Sequence, residues 1–212
     1  AGNSSPAGTG TLVVDTTAPS APVVAAQTTN DTTPTVSGTA EAGSSVAVTI
    51  NGVTYTTTAD GSGNWSITTA TLPSGTYSVT ATATDAAGNV SPVGTGSITV
   101  DDVAPMVVLS HSGSDLIVRD ADTETITATF NEAMTSAPTI TLTLSNGASI
   151  TAAPLSGSGT TWTYAWDVPA GSDGTATVTV AGTDLAGNAY AGSDNLVFTI
   201  DNSAPTAPVV AA

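Results

Sequence analysis

Apolar and polar residues alternate along most of this chain with the period of two that a half-buried strand shows. Ser45-Val46-Ala47-Val48-Thr49-Ile50 sends Val46, Val48 and Ile50 to one side, and Thr76-Tyr77-Ser78-Val79-Thr80-Ala81 follows the same rule. Val, Ile and Thr dominate such runs, while Gly, Asn, Asp, Pro and Ser separate them, as short strands and their turns require. The pattern predicts strands near 21–26, 34–39, 45–51, 53–58, 64–69, 76–84 and 95–101. A second set follows near 106–110, 123–130, 139–145, 148–153, 161–168, 175–183 and 195–201. In both sets an Asn-Gly pair, Asn51-Gly52 and Asn146-Gly147, stands between the third and fourth strands, the signal of a type I′ hairpin. No stretch carries a 3.6-residue apolar period with caps, so helix is expected to be nearly absent.

The two sets are joined by a recurring stretch. Leu12-Val-Val-Asp15-Thr-Thr-Ala-Pro19, Ile98-Thr-Val-Asp101-Asp102-Val-Ala-Pro105 and Phe198-Thr-Ile-Asp201-Asn-Ser-Ala-Pro205 each run from an apolar strand through an acid to Ala-Pro. Proline donates no ladder hydrogen bond, so each strand should stop before it and leave a short, stiff junction carrying a carboxylate. Residues 1–10 match 87–96 at eight of ten positions, and 18–26 match 204–212 at eight of nine. The expected organisation is therefore the last strand of a preceding module at 1–15, modules at 16–101 and 102–201, and the first strand of a following module at 202–212. Junction aspartates 86 and 100 residues apart suit two small β-sandwiches. The ends are those expected of a segment cut from a longer array.

Charge narrows the choice of partner. One Lys/Arg stands against 17 Asp/Glu, a formal net charge of −16. Nucleic acid and anionic membranes attract basic surfaces, so both are disfavoured, while divalent cations suit the balance. Charged residues are only 8% of the chain, which argues against an acidic disordered tail and leaves a surface of Thr, Ser, Gly and Ala. No apolar run approaches a membrane span and no signal peptide opens the sequence. The absence of Cys excludes a disulfide scaffold without fixing the compartment.

A seven-strand sandwich returns every second loop to the pole where its first strand enters. That count brings Asp15, Glu41, Asp85 and Asn89 together at the first module, with Asp60 a further candidate. At the second it gathers Asp101, Asp102, Asn131, Glu132, Asp184 and Asn188, and Asp201 opens the junction that follows. Carboxylates so placed, with no basic partner, repel one another. Ca²⁺ would remove that repulsion, because it accepts six to eight oxygen ligands in irregular geometry, whereas Mg²⁺ demands an octahedron and retains waters. Asp-x-Ala-Gly-Asn is also a sound turn by itself, since Asp and Asn bond their own backbone and Gly supplies positive φ. Asp120-Ala-Asp122-Thr-Glu124 begins like an EF-hand but has Thr125 where glycine is needed and no flanking helices. It could hold a second ion near Asp201, as Asp31 could near Asp101 and Asp102, or be a solvated turn.

Trp162, Tyr164 and Trp166 share one strand face, read as core rather than a sugar-stacking platform, and Trp65 is read likewise. His111 is expected on the exposed end of its strand. With one His, no Cys, no Gly-x-Ser-x-Gly elbow and no glycine-rich phosphate loop, the chain is not expected to be an enzyme.

These motifs together resemble the bacterial Ig-like domains that repeat in giant surface adhesins, including type I-secreted RTX and biofilm-associated proteins. The matching residues are Asp85-Ala-Ala-Gly-Asn-Val-Ser-Pro92 leading into Ser97-Ile-Thr-Val-Asp-Asp-Val-Ala-Pro105, with Gly38-Thr-Ala-Glu-Ala-Gly-Ser44. Ala128-Thr-Phe-Asn-Glu-Ala-Met134 and Asp184-Leu-Ala-Gly-Asn188 look like a related but distinct subtype. The resemblance implies an all-β fold of tandem Ig-like β-sandwiches in an end-to-end rod. It further implies an extracellular, monomeric extender on the bacterial cell surface, partnered by adjacent modules of the same chain and stiffened by junctional Ca²⁺. Host or surface ligand would be bound elsewhere in the full protein, without direct membrane contact. The competing reading is a ligand-binding module presenting Thr-rich faces to carbohydrate or another surface ligand.

Overall fold

The β-branched runs form strands where the pattern places them, and the computed structural model, which describes residues 12–204, contains no helix among those residues. The chain divides into two compact units, Ala1–Val100 and Asp101–Ala212. In the first, β1 (Val23–Val24), β2 (Gln27–Thr29), β3 (Thr35–Thr39), β4 (Ser45–Ile50), β5 (Val53–Thr58), β6 (Asn64–Thr68), β7 (Gly75–Thr84) and β8 (Gly94–Val100) form two sheets. Their orders are β1-β3-β6 and β2-β8-β7-β4-β5. Alternation fixes which residues meet between the sheets. Val36, Val46, Val48, Ile50, Trp65, Val79 and Ile98 are buried in one core, while their strand neighbours are mainly Thr and Ser.

The second unit follows the same plan with one added strand, β14. Its strands are β9 (Val107–His111), β10 (Ile117–Val118), β11 (Thr123–Phe130), β12 (Thr139–Leu144), β13 (Ser149–Pro154), β14 (Ser156–Ser158), β15 (Thr161–Asp167), β16 (Gly174–Ala181) and β17 (Leu196–Ile200). They pair as β14-β15-β11-β9 and β10-β17-β16-β12-β13. Trp162 and Trp166 are buried, and Tyr164 packs against the same core, so this aromatic face is core, as the sequence suggests.

The predicted first strand is in fact divided. In the first unit β1 pairs antiparallel with β3 (Val23↔Thr39), and after two residues β2 pairs parallel with β8 (Gln27↔Ile98). The second unit repeats this with β9 on β11 and β10 on β17. An alternation pattern reports which face a residue uses but not which sheet its strand joins, so the crossing is invisible to it. Gly38 lets β1 cross: a Cβ there would collide with the Val23 carbonyl oxygen and the Trp65 ring. Pro22 makes the corresponding approach at Gly94.

His111 is a correction. Its parity with Val107 and Leu109 turns it inward, where the imidazole meets Phe198 edge-on at 5.2 Å and Nδ1 lies 3.4 Å from Glu124 Oε2. Glu124, itself buried, accepts from Ser112 Oγ at 2.8 Å and Gly113 N at 2.9 Å. Of the flanking strands expected from neighbouring modules, residues 1–11 and 205–212 lie outside the described residues, while 12–15 and 202–204 form no strand.

Candidate metal centre

The chemistry gathers at the loops that follow β7 and β16. In Asp184-Leu-Ala-Gly-Asn188, Asp184 Oδ1 accepts from the backbone N–H groups of Ala186, Gly187 and Asn188 at 2.8, 2.8 and 2.9 Å. Oδ2 accepts from Asn188 Nδ2 at 2.8 Å. Gly187 adopts φ 102°, which closes the turn. The first unit repeats the device: Asp85 Oδ1 accepts from Ala87 N and Asn89 N, both at 2.9 Å, and Oδ2 from Asn89 Nδ2 at 2.8 Å. The side-chain bond from Asn89, followed by the backbone donors, holds the Asp85 carboxyl below the usual carboxylate range. The self-capped turn is therefore real in both loops. Asp60-Gly-Ser-Gly-Asn64 is a third instance, with Asp60 Oδ1 accepting from Ser62 N and Asn64 N at 2.8 and 2.9 Å. Its shared Asp-x-x-x-Asn spacing was the available signal.

Each asparagine also reaches the linker. Asn188 Nδ2 donates to the Asp101 carbonyl at 2.7 Å, and Asn89 Nδ2 to the Asp15 carbonyl at 3.1 Å. Both amides thus strap a junction residue to the loop after β7 or β16. In the second unit a further loop joins: Thr135 N donates to the Thr183 carbonyl at 2.9 Å, and Met134 bridges to Asp184. Glu132 is carried with it. Carboxylate oxygens of Asp101, Glu132 and Asp184 then lie within 4.8 Å of one another, Asp184 fully buried and the other two half-buried. None of the three forms an ion pair among the described residues. Burial first, then the charges of Asp184 and Asp101, push the Glu132 carboxyl above its ordinary range. Three converging carboxylates with no compensating cation form a donor set that fits a hard divalent cation.

The profile of the family described as Bacterial Ig-like domain matches residues 18–102 and 104–202. The chain belongs to the bacterial Ig-like domain family. No curated protein sequence matches it. Among solved structures, it is similar to the fibronectin(III)-like modules of Clostridium thermocellum CbhA, at 21% identity and TM-score 0.41, over 86% of this chain and 91% of that chain.

Elsewhere in these Ig-like modules the predicted site residues are more dispersed. Glu41 is exposed, and its carbonyl accepts from Ser44 Oγ at 2.7 Å. With Asp15 and Asp85 it forms no three-acid group among the described residues. Asn131 Oδ1 accepts from Met106 N at 2.7 Å, which ties the loop after β11 to the start of β9. Asp101 and Asp201 each cap their own junction, accepting from Val103 N and Ser203 N, and Asp102 lies exposed beside the first of these.

At the second module's other end, Asp122 and Asp201 line a recess of about 250 Å³ with Ile117, Val118 and Arg119. Asp120 Oδ2 accepts from Gly171 N at 2.8 Å, and Asp122 Oδ2 from Arg119 N at 2.9 Å, so both carboxylates brace turns. Asp31 does likewise for Thr33.

The Thr-rich faces are continuous. Thr54, Thr49, Thr80 and Thr95 stand side by side across β5, β4, β7 and β8, and Thr49 and Thr54 are hydrogen-bonded at 2.8 Å.

Proposed function

We propose that this chain is an extender segment of a bacterial surface adhesin, in which Ca²⁺ bound at the inter-module junctions stiffens an array that projects a distal binding region. The reading rests on the convergence of Asp101, Glu132 and Asp184 from a linker and two loops, unpaired with any cation. In this reading modules occupy 16–101 and 102–201, while 1–15 and 202–212 belong to neighbours, and the protein lies outside the cell. Asp102, Asn131 and Asn188 complete the oxygen set at the second module. Asp15, Glu41, Asp85 and Asn89 would serve the preceding junction, and Asp201 the following one. Ca²⁺ would supply positive charge that turns mutual repulsion into a crosslink, and the loop straps already present lower the ordering cost of that step.

Calorimetric titration with Ca²⁺, paired with small-angle scattering in EGTA and in millimolar Ca²⁺, tests the reading. The expected result is saturable binding, a narrowed distance distribution and a higher melting temperature; saturation at a hundred times Kd is worth about 2.7 kcal/mol. Asp101→Ala combined with Glu132→Gln should abolish these changes while both sandwiches stay folded. Unaltered scattering and melting on adding Ca²⁺ would remove the basis for the proposal. A second reading, a ligand-binding module, draws on the continuous Thr face. It requires glycan binding that survives that double substitution.

A further inference from the structure

A sandwich leaves strand edges whose backbone groups lack a partner, and proteins usually blunt them with bulges, prolines, charges or extra cover. The two modules treat one such edge differently. In the second module β13 is broken by a register slip between Ile140 and Leu142, carries Ala152 at φ 49° and ends at Pro154. There β14 also lies beyond β15 and covers that sheet's edge. In the first module β5 pairs with β4 in unbroken register over all six residues, Val53↔Ile50 to Thr58↔Ser45, and takes no strand on its other side among the described residues. It contains no proline and no residue of positive φ. From Ser44 to Ala59 the sequence holds no charged residue, in a chain of net charge −16.

We propose that β5 is a lateral self-association edge, at which two copies of the chain pair β5 with β5, antiparallel, about a two-fold axis at Thr56. The occupant follows from charge and from register. Copies this acidic repel wherever their loops approach, and β5 with its hairpin is a long uncharged edge, one residue longer than the β6 edge, on which they meet without that cost. A two-fold axis at Thr56 sets Thr56 opposite Thr56, Thr54 opposite Thr58 and Tyr55 opposite Thr57. Exposed Thr54, Thr56 and Thr58 then stay on the outer face and the half-buried residues on the inner one. A one-residue slip would reverse the faces. The outer threonine rows would continue across both copies as cross-strand pairs. Five residue pairs bury far less than the area of a stable dimer, so association is weak in dilute solution and becomes effective where chains stand side by side. The expectation of a monomer is then a statement about dilute solution.

Sedimentation equilibrium of the whole chain in EGTA, with concentration raised into the millimolar range, tests this without ion bridging between acidic ends. The apparent mass should climb from 20.5 kDa toward twice that value. Thr56→Lys should stay monomeric because it opposes two ammonium groups at the axis, and mixing it with Thr56→Glu should restore association. Equal melting temperatures would show that the variants fold alike. A wild-type chain that remains monomeric throughout overturns the proposal, as does a Thr56→Lys chain that associates like wild type. Loss of association in Val108→Asp but not in Thr56→Lys would place the contact on the exposed Met106–Val108 surface and equally overturn it.

Discussion

At the residue scale, Glu132 links the candidate site to stability. Its folded-state carboxyl is raised, so between the ordinary glutamate range and that raised value the folded chain holds a proton that the unfolded chain has lost. Stability therefore falls as pH climbs through this window and stays lower above it, because the ionised side chain faces Asp184 and Asp101. In metal-free buffer Glu132→Gln should melt higher than wild type near about pH 7, and the gain should vanish near about pH 4, where wild-type Glu132 is largely protonated. Saturating Ca²⁺ should invert the order at neutral pH, since the variant gives up a ligand. Thermal melts at the two pH values, with and without Ca²⁺, check both signs. A variant indistinguishable from wild type in metal-free neutral buffer would mean that the three acids do not feel one another.

At the element scale, most strands were legible because burial on one face imposes a period of two that short β-branched runs cannot hide. The crossing of the first strand between sheets, and the two- and three-residue strands β10 and β14, were not legible. Their sequences, Ile117-Val118 and Ser156-Gly-Ser158, are too short to show a period and are held by what they meet in space. The candidate site divides the same way. Counting strands places Asp101, Glu132 and Asp184 at one pole, and they do meet. It cannot show that Asn188 and Asn89 use their amides as straps to a carbonyl, or that Glu41 forms no three-acid group with Asp15 and Asp85 among the described residues, because those outcomes depend on side-chain direction within a loop. Gly38 carries an element-scale prediction. Gly38→Ala places a methyl against the Val23 carbonyl and Trp65, and should destabilise the first module by about 1–3 kcal/mol or more, measured by denaturant unfolding.

On the scale of the molecule, the two buried clusters share no residue, so each module carries its own core. Calorimetry in EGTA should resolve two unfolding transitions, and Ca²⁺ should raise the one belonging to the second module further, because the three-acid group lies there. Tryptophan fluorescence assigns them: Trp65 reports the first module, Trp162 and Trp166 the second. Equal shifts of both transitions would count against the assignment. Charge is distributed to match, for of the 17 acids only Glu124 and Asp167 lie on strands. The rest sit in loops and junctions, where turns and ions use them, and the sheet faces are left to hydroxyls and methyls.

The single basic side chain has one more consequence. Arg119 is exposed, yet its N–H donates to Asp122 Oδ2 at 2.9 Å and its carbonyl accepts from Asp122 N at 3.1 Å, so the segment is folded into a turn rather than extended. Enzymes that cut after lysine or arginine find one foothold in 212 residues, and at that place the backbone is bound to itself. Digestive attack of that specificity must first undo the turn, which gives the chain durability in surroundings rich in such proteases.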